Sequence, residues 1–172
     1  MDITGDGKVV KVYEDRGLKV DARTDFQRAS DDGDAFSWTI ETYDFTAADT
    51  ILAVRNDHST KNLHIEKIKL QSNADATEIE VHVPTASYTS AGTAVVGTNL
   101  NRTSNKVAEA TAHATETGNT QGTVVERFEL FIDKPVVLEF GGALMLGHDQ
   151  AVGVDCVTGG DTVYCTIIGY FK

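Results

Sequence analysis

The chain has 172 residues with 41% hydrophobic and 24% charged side chains, and carries a formal net charge of -11. That length suits one domain able to bury most of its apolar surface, and the composition excludes wholesale disorder. The negative charge repels phosphates, so neither nucleic acid nor an anionic membrane surface is expected as a partner. Met1 is followed by Asp2, Gly5 and Asp6 without an apolar run, which predicts no signal peptide. No stretch reaches the length of a membrane-spanning helix.

Residues 1–35 are acidic and rich in Asp and Gly, and are expected to form an N-terminal arm. "KVVKVY" (8–13) and "GLKVD" (17–21) suggest two short strands in it, and "SDDGD" (30–34) a loop. Residues 36–172 are expected to form the single sandwich domain. It opens with Phe36, Trp38 and Ile40 alternating with Ser37, Thr39 and Glu41, the period of a half-buried strand. The apolar phase then slips to Tyr43 and Phe45, which predicts a bulge or bend. "TILAVR" (50–55) is a second strand, "NDHSTKN" (56–62) a turn, and Leu63 and Ile65 begin a third whose phase slips to Ile68 and Leu70. Ile79, Val81 and Val83 alternate with polar residues until Pro84 stops the strand.

Residues 85–123 are a zone of Thr, Ala, Ser, Asn and Gly, read as a long loop or thin strands. Within it Ala108, Ala110, Ala112 and Ala114 recur with period two. On a strand they make one smooth face on which another backbone packs closely; a short helix is the rival reading. The C-terminal third is densely β. Phe128, Leu130 and Ile132 share a face, "DKP" (133–135) turns the chain, and Val136, Leu138 and Phe140 run up to a break at Gly141-Gly142. "ALML" (143–146) leads to Val152, Val154 and Cys156. The last strand has Val163, Cys165 and Ile167 on one face, with Tyr164, Ile168 and Tyr170 on the other.

About ten strands at short intervals, without a helix of length or βαβ spacing, predict an all-β antiparallel sandwich. The long small-residue excursion in mid-chain suits a jelly roll. If Gly160-Asp161 is a two-residue hairpin turn, Cys156 and Cys165 face each other and a disulfide is geometrically allowed, but two reduced core thiols are the favoured reading.

Motifs for chemistry are sparse. None of the five histidines forms His-x-His or His-Glu-x-x-His. His64 and Glu66 share a strand face as two metal ligands would, but without a third and fourth ligand a solvated polar face is the favoured reading. Asp31, Asp32 and Asp34 lack the twelve-residue calcium-loop spacing. There is no Gly-x-Ser-x-Gly elbow and no phosphate-binding glycine loop. Glu126, Glu129 and Glu139 lie on strands, and nothing marks two of them as a glycosidase pair. Asn101-Arg102-Thr103 matches a glycosylation sequon. The reading is therefore neither an enzyme nor a cofactor or metal protein.

What remains is surface for association. The final strand is apolar on both faces, so Ile168, Tyr170 and Phe171 need a second cover, either the chain's own arm or another subunit. With Ala108, Ala110 and Ala112 they are the candidate interface residues.

The stretches "ILAVRNDHSTKNLHIEKI" (51–68), "AGTAVVGTNLNRTSN" (91–105) and "ETGNTQGTVVE" (116–126) carry a resemblance. Over roughly residues 36–171 the chain resembles small virion proteins of tailed bacteriophages, of the type encoded near the major capsid gene. The resemblance implies a jelly-roll sandwich that decorates or cements the capsid surface as a homotrimer. It also implies the major capsid protein as partner and assembly in the host cytoplasm. A receptor- or carbohydrate-binding knob of a virion is the alternative function, with Trp38 and the tyrosines as sugar platforms.

Overall fold

A computed structural model describes residues 22–42, 49–84, 92–116, 122–157 and 162–172. The expected strands at 8–13 and 17–21, and the slip to Tyr43 and Phe45, lie outside the described residues.

The described chain is all-β apart from one short helix. In order come α1 (Asp25–Asp32), β1 (Ala35–Thr42), β2 (Asp49–Asn56), β3 (Leu63–Ser72) and β4 (Thr77–Val83). Then follow β5 (Thr93–Ala94), β6 (Thr98–Asn99), β7 (Ala110–Glu116), β8 (Thr123–Leu130), β9 (Val136–Leu146), β10 (Ala151–Cys156) and β11 (Val163–Phe171). Two antiparallel sheets pack as a sandwich, one ordered β6-β1-β11-β3-β9 and the other β5-β7-β2-β10-β4-β8. The first strand lies beside the last and the second beside the tenth.

The core follows from alternation. Phe36 and Trp38 of β1, Ile65, Ile68 and Leu70 of β3, and Val163, Cys165 and Ile167 of β11 point inward from one sheet. Leu52 and Val54 of β2, Ile79 and Val81 of β4, and Val152, Val154 and Cys156 of β10 meet them from the other. The phase slip within β3 is a register shift between Ile65 and Lys67 against β9. It keeps Ile68 and Leu70 on the core face after an odd step, as a bulge does. The strict alternation of Trp38 with its neighbours buries the indole completely, at 0% exposure, so it offers no face to a sugar.

Three expectations are corrected. The run "SDDGD" is no loop: Ser30, Asp31 and Asp32 are the last turn of α1. Thr24 caps the helix, its Oγ1 accepting from the Gln27 amide at 3.2 Å while Gln27 Oε1 accepts from the Thr24 amide at 2.9 Å. Gly33, at φ 76°, closes the helix in the left-handed region that glycine enters without strain. Eight residues with one buried apolar side chain, Ala29, give too weak a periodicity to announce a helix. Second, Gly141-Gly142 does not break the strand. β9 runs through it to Leu146, with both glycines at positive φ, because a Cβ on Gly142 would stand 2.4 Å from the Tyr170 hydroxyl. Third, Cys156 and Cys165 do not face each other across a hairpin. β10 and β11 belong to different sheets, and neither cysteine is in a disulfide.

Candidate association surface

The five-stranded sheet presents an outer face on which register aligns side chains in rows. Ala35, Tyr170, His64 and Met145 form the first row, and Ser37, Ile168, Lys67 and Glu139 the second. The chain itself covers the Ala35–Tyr170 end of the first row, while Met145 at the other end stands exposed. Phe26 and Ala29 of α1 pack on Ala35 and Tyr170, with the Phe26 and Tyr170 rings edge-on at 5.9 Å. His64 stacks on the other side of Tyr170 at 5.0 Å, and its Nδ1 lies 2.9 Å from the Gly142 carbonyl. Burial foremost, then the carboxylates Asp25 and Glu66, push the Tyr170 phenol up.

Of the residues read as interface candidates, Tyr170 is thus buried beneath α1, and Phe171 points into the core beside Phe36, ring centroids 5.8 Å apart. Their cover is the chain's own, one of the two readings left open by the sequence. Ile168 is half-buried between Ser37 and Lys67. The alanine face belongs to strand β7, not to a helix, but it turns inward. Ala112 is buried in the core, and Ala108 and Ala110 pack against it. The small side chains make room for Trp38 and the β5–β6 excursion. Gly97 sits so close that a Cβ would lie 2.7 Å from the Trp38 nitrogen and 2.9 Å from Ala108. Ala112→Leu is expected to overpack this contact and cost about 1–3 kcal/mol in urea denaturation, without changing the oligomeric state read by light scattering.

The end of the sandwich near α1 is tied by charge. Asp34 accepts from Lys61 and from Lys106, each at 2.7 Å, joining the start of β1 to the β2–β3 turn and to the loop before β7. Lys172 reaches Asp25 at 2.7 Å. A groove of about 380 Å³ lies here, floored by Phe36 and Phe171 and walled by Asp34, His58, Lys61 and Lys106. Partial burial pushes the Asp34 carboxyl up, but the hydrogen bonds from Lys106 and Lys61 outweigh it and hold it below the ordinary value of 3.8. The Lys172 ammonium lowers Asp25 likewise. A carboxylate with a depressed folded pKa contributes stability that is present above its unfolded pKa and lost as pH falls through the folded one. The α1 corner is therefore expected to loosen below about pH 3.8, ahead of the sheets, seen as faster amide exchange of residues 25–33. An unchanged exchange pattern at pH 3 would count against these pairs.

The remaining sequence candidates occupy ordinary structural places. Glu66 falls at the β3 bulge, His64 is engaged by Tyr170 and Gly142, and Asp34 by its two lysines. Asn101 Oδ1 accepts from Thr103, and its amide donates to the Asp31 carbonyl at 2.8 Å. Among the described residues no group of three or more His, Cys, Asp or Glu side chains is placed to hold a metal ion.

Two features escaped the sequence reading. On the outer face of the six-stranded sheet, His82 of β4 and Asp155 of β10 are both fully buried, with Nε2 and Oδ2 2.9 Å apart and the contact off the line that a good hydrogen bond needs. The second is the flank formed by β8 and β9. Each is the edge of its sheet among the described residues, and the two are joined by residues 131–135, so both edges lie along one side of the sandwich. Phe128, Val136, Leu138, Phe140 and Leu144 are only partly buried there. Phe131, Ile132 and Val137 stand 45%, 47% and 47% exposed. Ile132 was expected to share the inward face of Phe128 and Leu130, but the strand ends at Leu130, and Ile132 makes an isolated bridge to Ser72 while its amide donates to Asp75 Oδ1 at 2.9 Å. Adjacent Phe131 and Ile132 just before "DKP" were the available signal, since two successive apolar residues at a turn cannot both face one core.

The fold defines an antiparallel β-sandwich protein. Comparison with protein-family models and with curated protein sequences gives no match.

Proposed function

We propose that the protein is a structural subunit of a bacteriophage virion, a decoration or cement protein that binds the major capsid protein on the outside of the shell as a homotrimer. The observation that supports this most is the β8–β9 flank. Two long edge strands with half-covered apolar side chains and an exposed Phe131–Ile132 corner form a surface that isolated β-proteins usually blunt. Covering such a flank gains about 25 cal/mol per Å² of apolar area, and stable interfaces bury about 1,200–2,000 Å² in all. The sandwich order and the resemblance of residues 36–171 point the same way, and the net charge of -11 suits a protein that stays clear of packaged DNA.

Purified protein is expected to elute as a trimer in size-exclusion chromatography with light scattering, and to saturate expanded capsids of the cognate major capsid protein in cosedimentation. A monodisperse monomer that leaves such capsids bare would sink the reading. A specific glycan-array signal from that monomer would move it to a receptor-binding knob.

A further inference from the structure

We infer that the Glu126–Leu130 edge of the β8 flank accepts an extended, basic strand from another protein. The inference rests on the association reading above and adds the chemistry of the partner. β8 pairs with β4 on one side only, from Thr77↔Leu130 to Val83↔Thr123, and has no strand on its other side among the described residues. The register shift between Val81 and His82 places an extra residue at Val125, so the regular open edge begins at Glu126 and runs to Leu130. An open edge exposes backbone donors and acceptors that an added strand satisfies, while alternate side-chain pockets set specificity.

The charge around this edge selects the occupant. Glu126 and Glu129 are exposed and no cation is placed on either among the described residues, and exposed Asp133 follows in the turn. The one cation on the strand, Arg127, is turned back onto β4, where it holds Glu78 at 2.6 Å and Glu80 at 2.9 Å. Lys134 lies over the Phe131 ring, 5.6 Å from its centroid. The edge therefore presents carboxylates beside apolar steps with its own cations already engaged. Opposite charges directly across a strand pair stabilise it, and like charges oppose it. Glu126 and Glu129 lie on opposite faces of β8, so an acidic strand is disfavoured on either face and a strand carrying lysine or arginine is favoured.

The probe is a ten-residue peptide of alternating Lys and Val, N-methylated along one edge so that it cannot stack on itself, with a Glu-Val peptide of the same design as control. Fluorescence anisotropy with the full chain is expected to show the Lys-Val peptide binding at least tenfold tighter than the control. The difference should shrink as salt rises from 0.05 to about 1 M, where screening reaches a few ångström. Amide exchange is expected to slow at residues 126–130. Glu126→Lys/Glu129→Lys should reverse the preference, and Glu126→Gln/Glu129→Gln, which keeps shape without charge, should abolish it. Equal affinity for both peptides, protection confined to other strands, or a dimer of the chain formed through this edge in sedimentation would each overturn the inference. Wild-type protein and the lysine variant coating capsids equally well would also overturn it while leaving the virion-subunit reading intact. Bare capsids combined with Lys-Val binding at β8 would support it and overturn the capsid reading instead.

Discussion

Trp38→Ala is expected to destabilise the protein by about 3–5 kcal/mol, the range for removing a large aromatic side chain from a close-packed core. The reason is position. Trp38 lies on β1, paired with β11, fully buried beside Phe36 and pressed by Gly97. The ring spans the gap between β1 and the small residues of β7, and no larger neighbour stands ready to collapse into the space. Trp38→Phe is expected to lose less than half as much. Phenylalanine leaves a smaller cavity, and it removes the indole N–H, which has no hydrogen-bond partner among the described residues. An unsatisfied buried donor costs about 1–3 kcal/mol, which offsets part of the lost packing. Because Trp38 is the only tryptophan, the comparison is read by far-ultraviolet circular dichroism in urea rather than by fluorescence. An alanine variant within 1 kcal/mol of wild type would contradict the core described here.

The second large effect is expected at Asp155. Removing one member of a buried polar pair leaves the other without its neighbour, and such losses run to about 1–3 kcal/mol. His82 and Asp155 are fully buried, and Gly153 leaves no slack, since a Cβ there would stand 2.6 Å from His82 Nε2. Asp155→Ala should therefore destabilise by that much in urea. The double variant His82→Leu/Asp155→Ala should be more stable than Asp155→Ala alone, because it no longer buries an imidazole without its carboxylate. Additive losses in the double-mutant cycle would show that the two side chains are not coupled.

The sandwich was legible because its core strands alternate cleanly. Phe36-Trp38-Ile40, Ile79-Val81 and Val163-Cys165-Ile167 each announce a buried face, and the slip after Ile65 announces the bulge. Sheet membership was not legible. The short interval between Cys156 and Val163 suggested a hairpin, but in a nested double sheet such intervals also serve connections that cross from one layer to the other. Tyr170 lies on the outer face beneath α1, whereas Phe171, grouped with it in the sequence reading, points into the core. What the pattern lacked was α1, whose capping box at Thr24 and Gln27 and closing Gly33 were present but surrounded by acidic residues that read as loop. The alanine row gave the strand and misdirected its face, because small side chains suit a partner's backbone and a neighbouring tryptophan equally. The β8–β9 flank was hidden for a different reason. Edge position depends on which strands pair, and pairing between segments far apart in sequence leaves no local trace. His82 and Asp155 were invisible likewise, since a charged residue on an outward strand position is normally solvated.

The placement of the thiols in separate layers turns them into a native clock. Alkylating reagents attack the thiolate, and burial drives the Cys165 thiol far above its usual range, at the centre of a sheet flanked by β1 and β3. A maleimide can thus reach Cys165 only after β11 parts from a neighbour. The rate of that labelling, followed without denaturant, reports how often the middle of the five-stranded layer opens.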